Sequence, residues 1–109
     1  MTIKEVGKKV NITMTRGDSE SLTVTCSVPF ANGDTVYFTV REDAESEILL
    51  QKIITDFPDG AAVIPIYPED TAALDFGDYV YDIQVTRAGG VVTTLIVPSR
   101  FKLNEEVTY

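Results

Sequence analysis

Hydrophobic residues in this chain recur with a period of two, and no stretch of helical length carries an i, i+3, i+4, i+7 stripe. Leu22, Val24 and Cys26 alternate with Thr23, Thr25 and Ser27. Val36, Phe38 and Val40 alternate with Tyr37, Thr39 and Arg41. Tyr79, Tyr81, Ile83 and Val85 alternate with Val80, Asp82, Gln84 and Thr86. Successive side chains of a strand point to opposite faces, so such alternation marks strands with one buried and one wet face. Thr, Val, Ile and Tyr are also the residues that fit a pleated surface.

Strands are expected at Asn11 to Thr15, Glu20 to Ser27, Thr35 to Arg41, Ile48 to Ile54, Ala61 to Ile66, Asp78 to Arg87 and Val91 to Val97. Turn residues separate them. Arg16-Gly17-Asp18-Ser19 makes the first break, and Asn32-Gly33-Asp34 the second, because Asn and Gly tolerate positive φ. In Phe57-Pro58-Asp59-Gly60, proline fixes φ and glycine closes the turn. Ala88-Gly89-Gly90 joins the last two strands as a hairpin. Pro65 assigns its strand to an edge or a bulge, and Pro98 sets a kink before Phe101 and Leu103. Pro68 to Leu74 reads as one helical turn, with Pro at its start and carboxylates near its N-terminal dipole. About seven short strands with this turn spacing are the pattern of an all-β sandwich or barrel, with an antiparallel β-sandwich the expectation. The expected division is an arm over 1–10, a sandwich over 11–103 and a tail over 104–109.

Composition removes most chemistry. The 109 residues include no His, no Trp and one Cys. No Ser-His-Asp or Cys-His nucleophile can be assembled, and no zinc site with His or paired Cys is available. No disulfide can form within the chain. The chain is therefore expected to be no enzyme and to carry no cofactor and no metal. Seventeen acidic against nine basic residues give a net charge of −8, a field that repels nucleic acid. No run approaches the ~20 apolar residues that cross a bilayer, and the first residues lack a signal-peptide apolar region. The expectation is a chain made in the cytoplasm without a signal peptide, with no membrane partner.

Pro68-Glu69-Asp70-Thr71-Ala72, followed by Leu74-Asp75-Phe76-Gly77-Asp78-Tyr79-Val80-Tyr81, resembles the E–F corner of immunoglobulin-like domains. Asp75, Gly77 and Tyr79 match its Asp-x-Gly-x-Tyr pattern. Tyr81 stands where that family has its second cysteine. The resemblance implies an immunoglobulin-like fold in which the Tyr79 hydroxyl bonds backbone between Pro68 and Asp75. It also implies that Cys26 faces Tyr81 across the sheets as a small core residue, and that Phe38 takes the place of the core tryptophan.

A second resemblance spans most of residues 11–108. Thr15 to Ser19, Tyr37 to Arg41, Pro68 to Thr71, Gly77 to Gln84 and Pro98 to Phe101 are similar to segments of small proteins encoded in prophages of gut Firmicutes, in or near tail and baseplate modules. This implies a non-enzymatic, virion-associated structural protein whose partners are other virion or surface proteins, or further copies of itself. The alternative is a carbohydrate- or cell-surface-binding immunoglobulin-like module of a bacterial adhesin. A flat apolar patch favours assembly, and a concave aromatic patch with amides favours sugar.

Contact residues are expected at Tyr37, Tyr67 and Tyr109, which bury area at low entropy cost, and at Lys4, Lys8 and Lys9 in the arm. Arg16-Gly17-Asp18 is the tripeptide integrins bind, but it reads here as a turn. Glu42-Asp43-Ala44-Glu45-Ser46-Glu47 lacks the order of a calcium loop and reads as a solvated connection. Asp56, Asp59, Asp70, Asp75 and Asp78 read as turn residues rather than paired catalytic acids.

Overall fold

The alternating segments become strands over most of their length. The computed structural model describes residues 2–3, 9–43 and 45–105. Its strands are β1 (Thr2–Ile3), β2 (Ile12–Thr15), β3 (Glu20–Val24), β4 (Thr35–Arg41), β5 (Ile48–Ile54), β6 (Ala62–Ile66), β7 (Gly77–Thr86) and β8 (Val92–Asn104). A 3-10 turn, Pro58–Gly60, precedes β6, and the helical turn α1, Pro68–Ala72, follows it. One sheet has the order β1-β3-β6 and the other β2-β8-β7-β4-β5.

Between the sheets lie Leu22, Val24, Ile64 and Ile66 from the smaller one, against Val36, Phe38, Val40, Tyr81, Ile83, Val85, Phe101 and Leu103 from the larger. Phe38, Tyr81 and Phe101 form a ring triad, with centroids 5.5 to 6.2 Å apart in tilted and edge-on arrangements. The chain is an all-β sandwich with an immunoglobulin-like strand arrangement. Pro65 lies in β6, an edge strand, where its missing N–H costs no ladder bond.

Four features differ from the expected pattern. Pairing is not wholly antiparallel, since β2 runs parallel to β8 and β1 parallel to β3. The β1 residues Thr2–Ile3 fall inside the segment expected to be an arm. The last strand does not stop at Val97 but continues through Pro98 to Asn104. A bulge makes this possible: Tyr81 pairs with Ser99 and Ile83 with Ile96, so Val97 and Pro98 together oppose Asp82. A second bulge at Leu95 allows the consecutive residues Leu95 and Ile96 both to be buried.

Finally, β3 ends at Val24, where its partner β6 begins at Ala62. Cys26 therefore lies beyond the strand, half-buried, with its Sγ 3.7 Å from Nη2 of Arg87. Tyr81 has other neighbours: the rings of Phe38 and Phe101, and the Val10 carbonyl to which its hydroxyl donates. The expected facing pair of Cys26 and Tyr81 is replaced by these two separate environments.

Candidate interaction surface

Because Val36, Phe38 and Val40 are buried, their alternates in β4 face outward, and strand register arranges the neighbours in rows. Ile53, Tyr37, Gln84 and Thr94 form one row, and Gln51, Thr39 and Asp82 the next. The amides on this face are engaged. Gln51 Nε2 donates to Thr39 Oγ1 at 3.1 Å, and Gln84 Nε2 to Thr94 Oγ1 at 3.5 Å. Where the bulge lifts Pro98, a hollow of about 60 Å³ opens between Thr39, Arg41, Asp82 and Pro98. Burial pushes the Asp82 carboxyl up, and the nearby Arg41 guanidinium opposes that shift. Arg41 itself donates from Nη1 to the Ser46 carbonyl at 2.8 Å. The hollow is far smaller than the ~300 Å³ that a ligand pocket starts from.

The rim of this sheet is β5. It pairs with β4 on one side, and among the described residues no strand pairs with it on the other, so alternate N–H and C=O groups there lack a ladder partner. Leu50 and Ile54 pack on the core. Lys52 lies on the same inward side, its Nζ 2.7 Å from Asp70 Oδ2 and 4.8 Å from the centre of the Tyr67 ring. Burial pushes the Asp70 carboxyl up, but the Lys52 ammonium and the Tyr67 N–H together outweigh it and hold the carboxyl below its usual value. The outward residues are apolar at both ends: Ile48 is 46% exposed, Leu49 43% and Ile53 55%.

At one end of the sandwich the β6–β7 corner is clamped. The Tyr79 hydroxyl donates to the Asp75 carbonyl at 2.6 Å. Arg16 Nη1 donates to the Leu74 carbonyl at 3.1 Å, and the Gly17 N–H to buried Thr71 Oγ1 at 2.9 Å. Each bond occupies a backbone or hydroxyl group that the crossing between sheets would otherwise leave open. Burial raises the Tyr79 hydroxyl's pKa, and the Asp75 and Glu42 carboxylates add to the rise against Arg16.

The structure thus brings Asp75, Gly77 and Tyr79 together at the corner. It separates the tyrosines: Tyr37 is half-buried on the outer face, whereas Tyr67 is exposed beside inward-pointing Lys52. Lys9 is exposed near Asn11 and Arg100. Lys4, Lys8 and Tyr109 lie outside the described residues. Arg16 and Gly17 are committed to the corner, Gly17 has φ 84°, and the Asp18 N–H donates to Thr15 O. In the acidic loop, Asp43 Oδ1 accepts from the Glu45 N–H at 2.9 Å, which lowers the Asp43 pKa. Among the described residues no three Cys, Asp or Glu side chains converge to hold a metal ion.

Sequence reasoning missed Leu49, Ile53 and Phe76 as surface residues. A signal was present: in Ile48-Leu49-Leu50 the alternation breaks down, and a strand apolar on both sides has a second face to cover.

No family model matches the chain, and no curated protein matches it in sequence. Among solved structures, CopC from Methylosinus trichosporium OB3b matches 93% of this chain and 91% of its own, with a TM-score of 0.50 at 16% identity. What the two chains share, at that identity, is the β-sandwich fold.

Proposed function

We propose that this chain is a non-enzymatic assembly module, a structural component of a phage or prophage tail or baseplate that acts through protein–protein contacts. The observation that carries this reading is the β5 rim. Native edge strands are blunted by charges, prolines, bulges or covering segments, and inward-pointing charges serve the same end. In β5 a bulge at Leu49 and the inward-turned Lys52 do this only in part, because the outward side chains Leu49, Gln51 and Ile53 carry no charge. Such an edge can add a strand from another chain, with main-chain bonds for affinity and apolar side chains for register. The tail and baseplate assignment draws on the similarity of Thr15 to Ser19, Tyr37 to Arg41 and Gly77 to Gln84 to prophage-encoded proteins.

The test is co-sedimentation with particles released when the encoding bacterium lyses. Wild-type protein is expected in the particle fraction, and Ile53→Lys, which places a charge on the rim, is expected to be depleted from it. Absence of the wild-type protein from particles, together with binding to isolated cell-surface glycans, would favour the adhesin reading instead.

A further inference from the structure

Next to the clamped corner, a groove runs between the start of β5 and residues 73–79. Leu49, Phe76 and half-buried Leu74 supply its apolar lining. Phe76 is 54% exposed, and its backbone is held on both sides. The carbonyls of Leu74 and Asp75 are occupied by Arg16 and Tyr79, and Gly77 is already paired with Leu103 in the sheet. The ring is therefore presented by a fixed corner rather than by a loop that could fold it inward. Around this apolar floor stand three exposed carboxylates, Glu42, Asp75 and Asp78. Beside burial, the Asp75 and Glu42 carboxylates raise the pKa of the Tyr79 hydroxyl at its edge.

We infer that this groove docks a basic segment of a partner protein, with one bulky apolar side chain seated between Leu49 and Phe76 and flanking Lys or Arg residues against Glu42, Asp75 and Asp78. Charge complementarity on an apolar anchor selects this occupant. The carboxylates orient and steer a cationic segment, while the apolar walls supply the contact area. They also disfavour a second copy of this acidic face, in a chain whose net charge is −8. The inference rests on the assembly reading and specifies the chemistry of one partner.

Three synthetic peptides test it by titration followed with amide NMR shifts: Lys-Lys-Leu-Phe-Lys-Lys, Glu-Glu-Leu-Phe-Glu-Glu and Lys-Lys-Ser-Ser-Lys-Lys. The first is expected to bind at least tenfold more tightly than the other two, to shift the amides of Leu49, Phe76 and Gly77, and to weaken as salt is raised. Phe76→Ser, and separately the triple variant Glu42→Gln, Asp75→Asn, Asp78→Asn, are each expected to weaken it about tenfold. These side chains are exposed, and an unchanged circular dichroism spectrum confirms folding. No binding by the first peptide, equal binding by all three, or shifts confined to other residues would overturn the inference. So would a doubled solution mass that Phe76→Ser abolishes, which would give the groove to a second copy. Ile53→Lys leaves the groove untouched. Loss of the peptide result with particle association intact therefore removes the groove alone, and absence of wild-type protein from particles removes the assembly reading itself.

Discussion

Asp34 and Arg87 meet at 2.9 Å, Oδ2 to Nη1, and through this pair the loop after β3 is tied to the β7–β8 hairpin. The same guanidinium donates to the carbonyls of Val28 at 3.0 Å and Pro29 at 3.3 Å and lies 5.0 Å over the Phe30 ring. The other Asp34 oxygen accepts from the Ala88 N–H at 2.9 Å. Gly33 belongs to the same junction. Its φ is 94°, and a Cβ there would stand 2.8 Å from the Ala88 Cβ. Arg87→Ala is expected to cost about 2 kcal/mol from the carbonyl bonds and ring contact alone. Chemical denaturation with an unchanged m-value checks it.

The Ala31 N–H, then the Ala88 N–H and the Arg87 guanidinium, hold the Asp34 carboxyl below its ordinary value of 3.8, against a counter-pull from burial. A depressed native pKa gives stability that is present above the unfolded value and lost as pH falls through the native one. Melting temperature is therefore expected to fall as pH drops below about 4. Asp34→Asn should flatten that slope while lowering stability at pH 7. A wild-type acid slope unchanged by Asp34→Asn would remove this residue from the account.

Asp82 carries the opposite sign. Burial raises its pKa, so its charged form is disfavoured in the native state and stability falls as pH rises from 3.8 through the native value. Asp82→Asn is expected to raise the melting temperature at pH 7 and to have little effect at pH 3. Melting curves at the two pH values decide it, and a destabilised variant at pH 7 would mean that attraction from Arg41 outweighs desolvation.

The two tyrosine hydroxyls of β7 should behave differently. Tyr79→Phe loses a bond to a carbonyl that water can reach, and a cost of about 1 kcal/mol is expected. Tyr81 is 1% exposed and its pKa is raised by burial. Tyr81→Phe also strands the Val10 carbonyl, so about 1–3 kcal/mol is expected. Hydrogen exchange should accelerate at Val10, whose N–H donates to Ser99 Oγ at 3.1 Å.

On the rim, Ile53→Lys is expected to leave stability within about 0.5 kcal/mol of wild type, because the replaced side chain is largely in water. Paired measurements of unfolding and particle association separate a lost contact from a lost fold.

Strand positions were legible because alternation and turn residues agree: Val36, Phe38 and Val40 point inward as the pattern requires, and Gly33 and Gly60 take positive φ. The corner was legible because Asp75, Gly77 and Tyr79 are close in sequence. The bulges at Pro98 and Leu95 were not, since a bulge is a relation between two strands and Asp82 carries no mark of facing two residues. The surface was least legible. Whether Leu49 and Ile53 are covered depends on β5 ending the sheet order, which the local sequence of β5 does not encode.

The parallel pairing of β2 with β8 has a mechanical consequence. Residue 12 at the start of β2 and residue 104 at the end of β8 lie at opposite ends of that ladder. Tension applied through Val10 and Glu105 pulls the two strands past one another along their length. The bonds between them, with the Arg16 N–H to Asn104 carbonyl bond and the Val10 links to Ser99 and Tyr81, are then loaded together in shear rather than unzipped one at a time. The sandwich would resist extension along this axis more strongly than force applied across the β4–β5 edge.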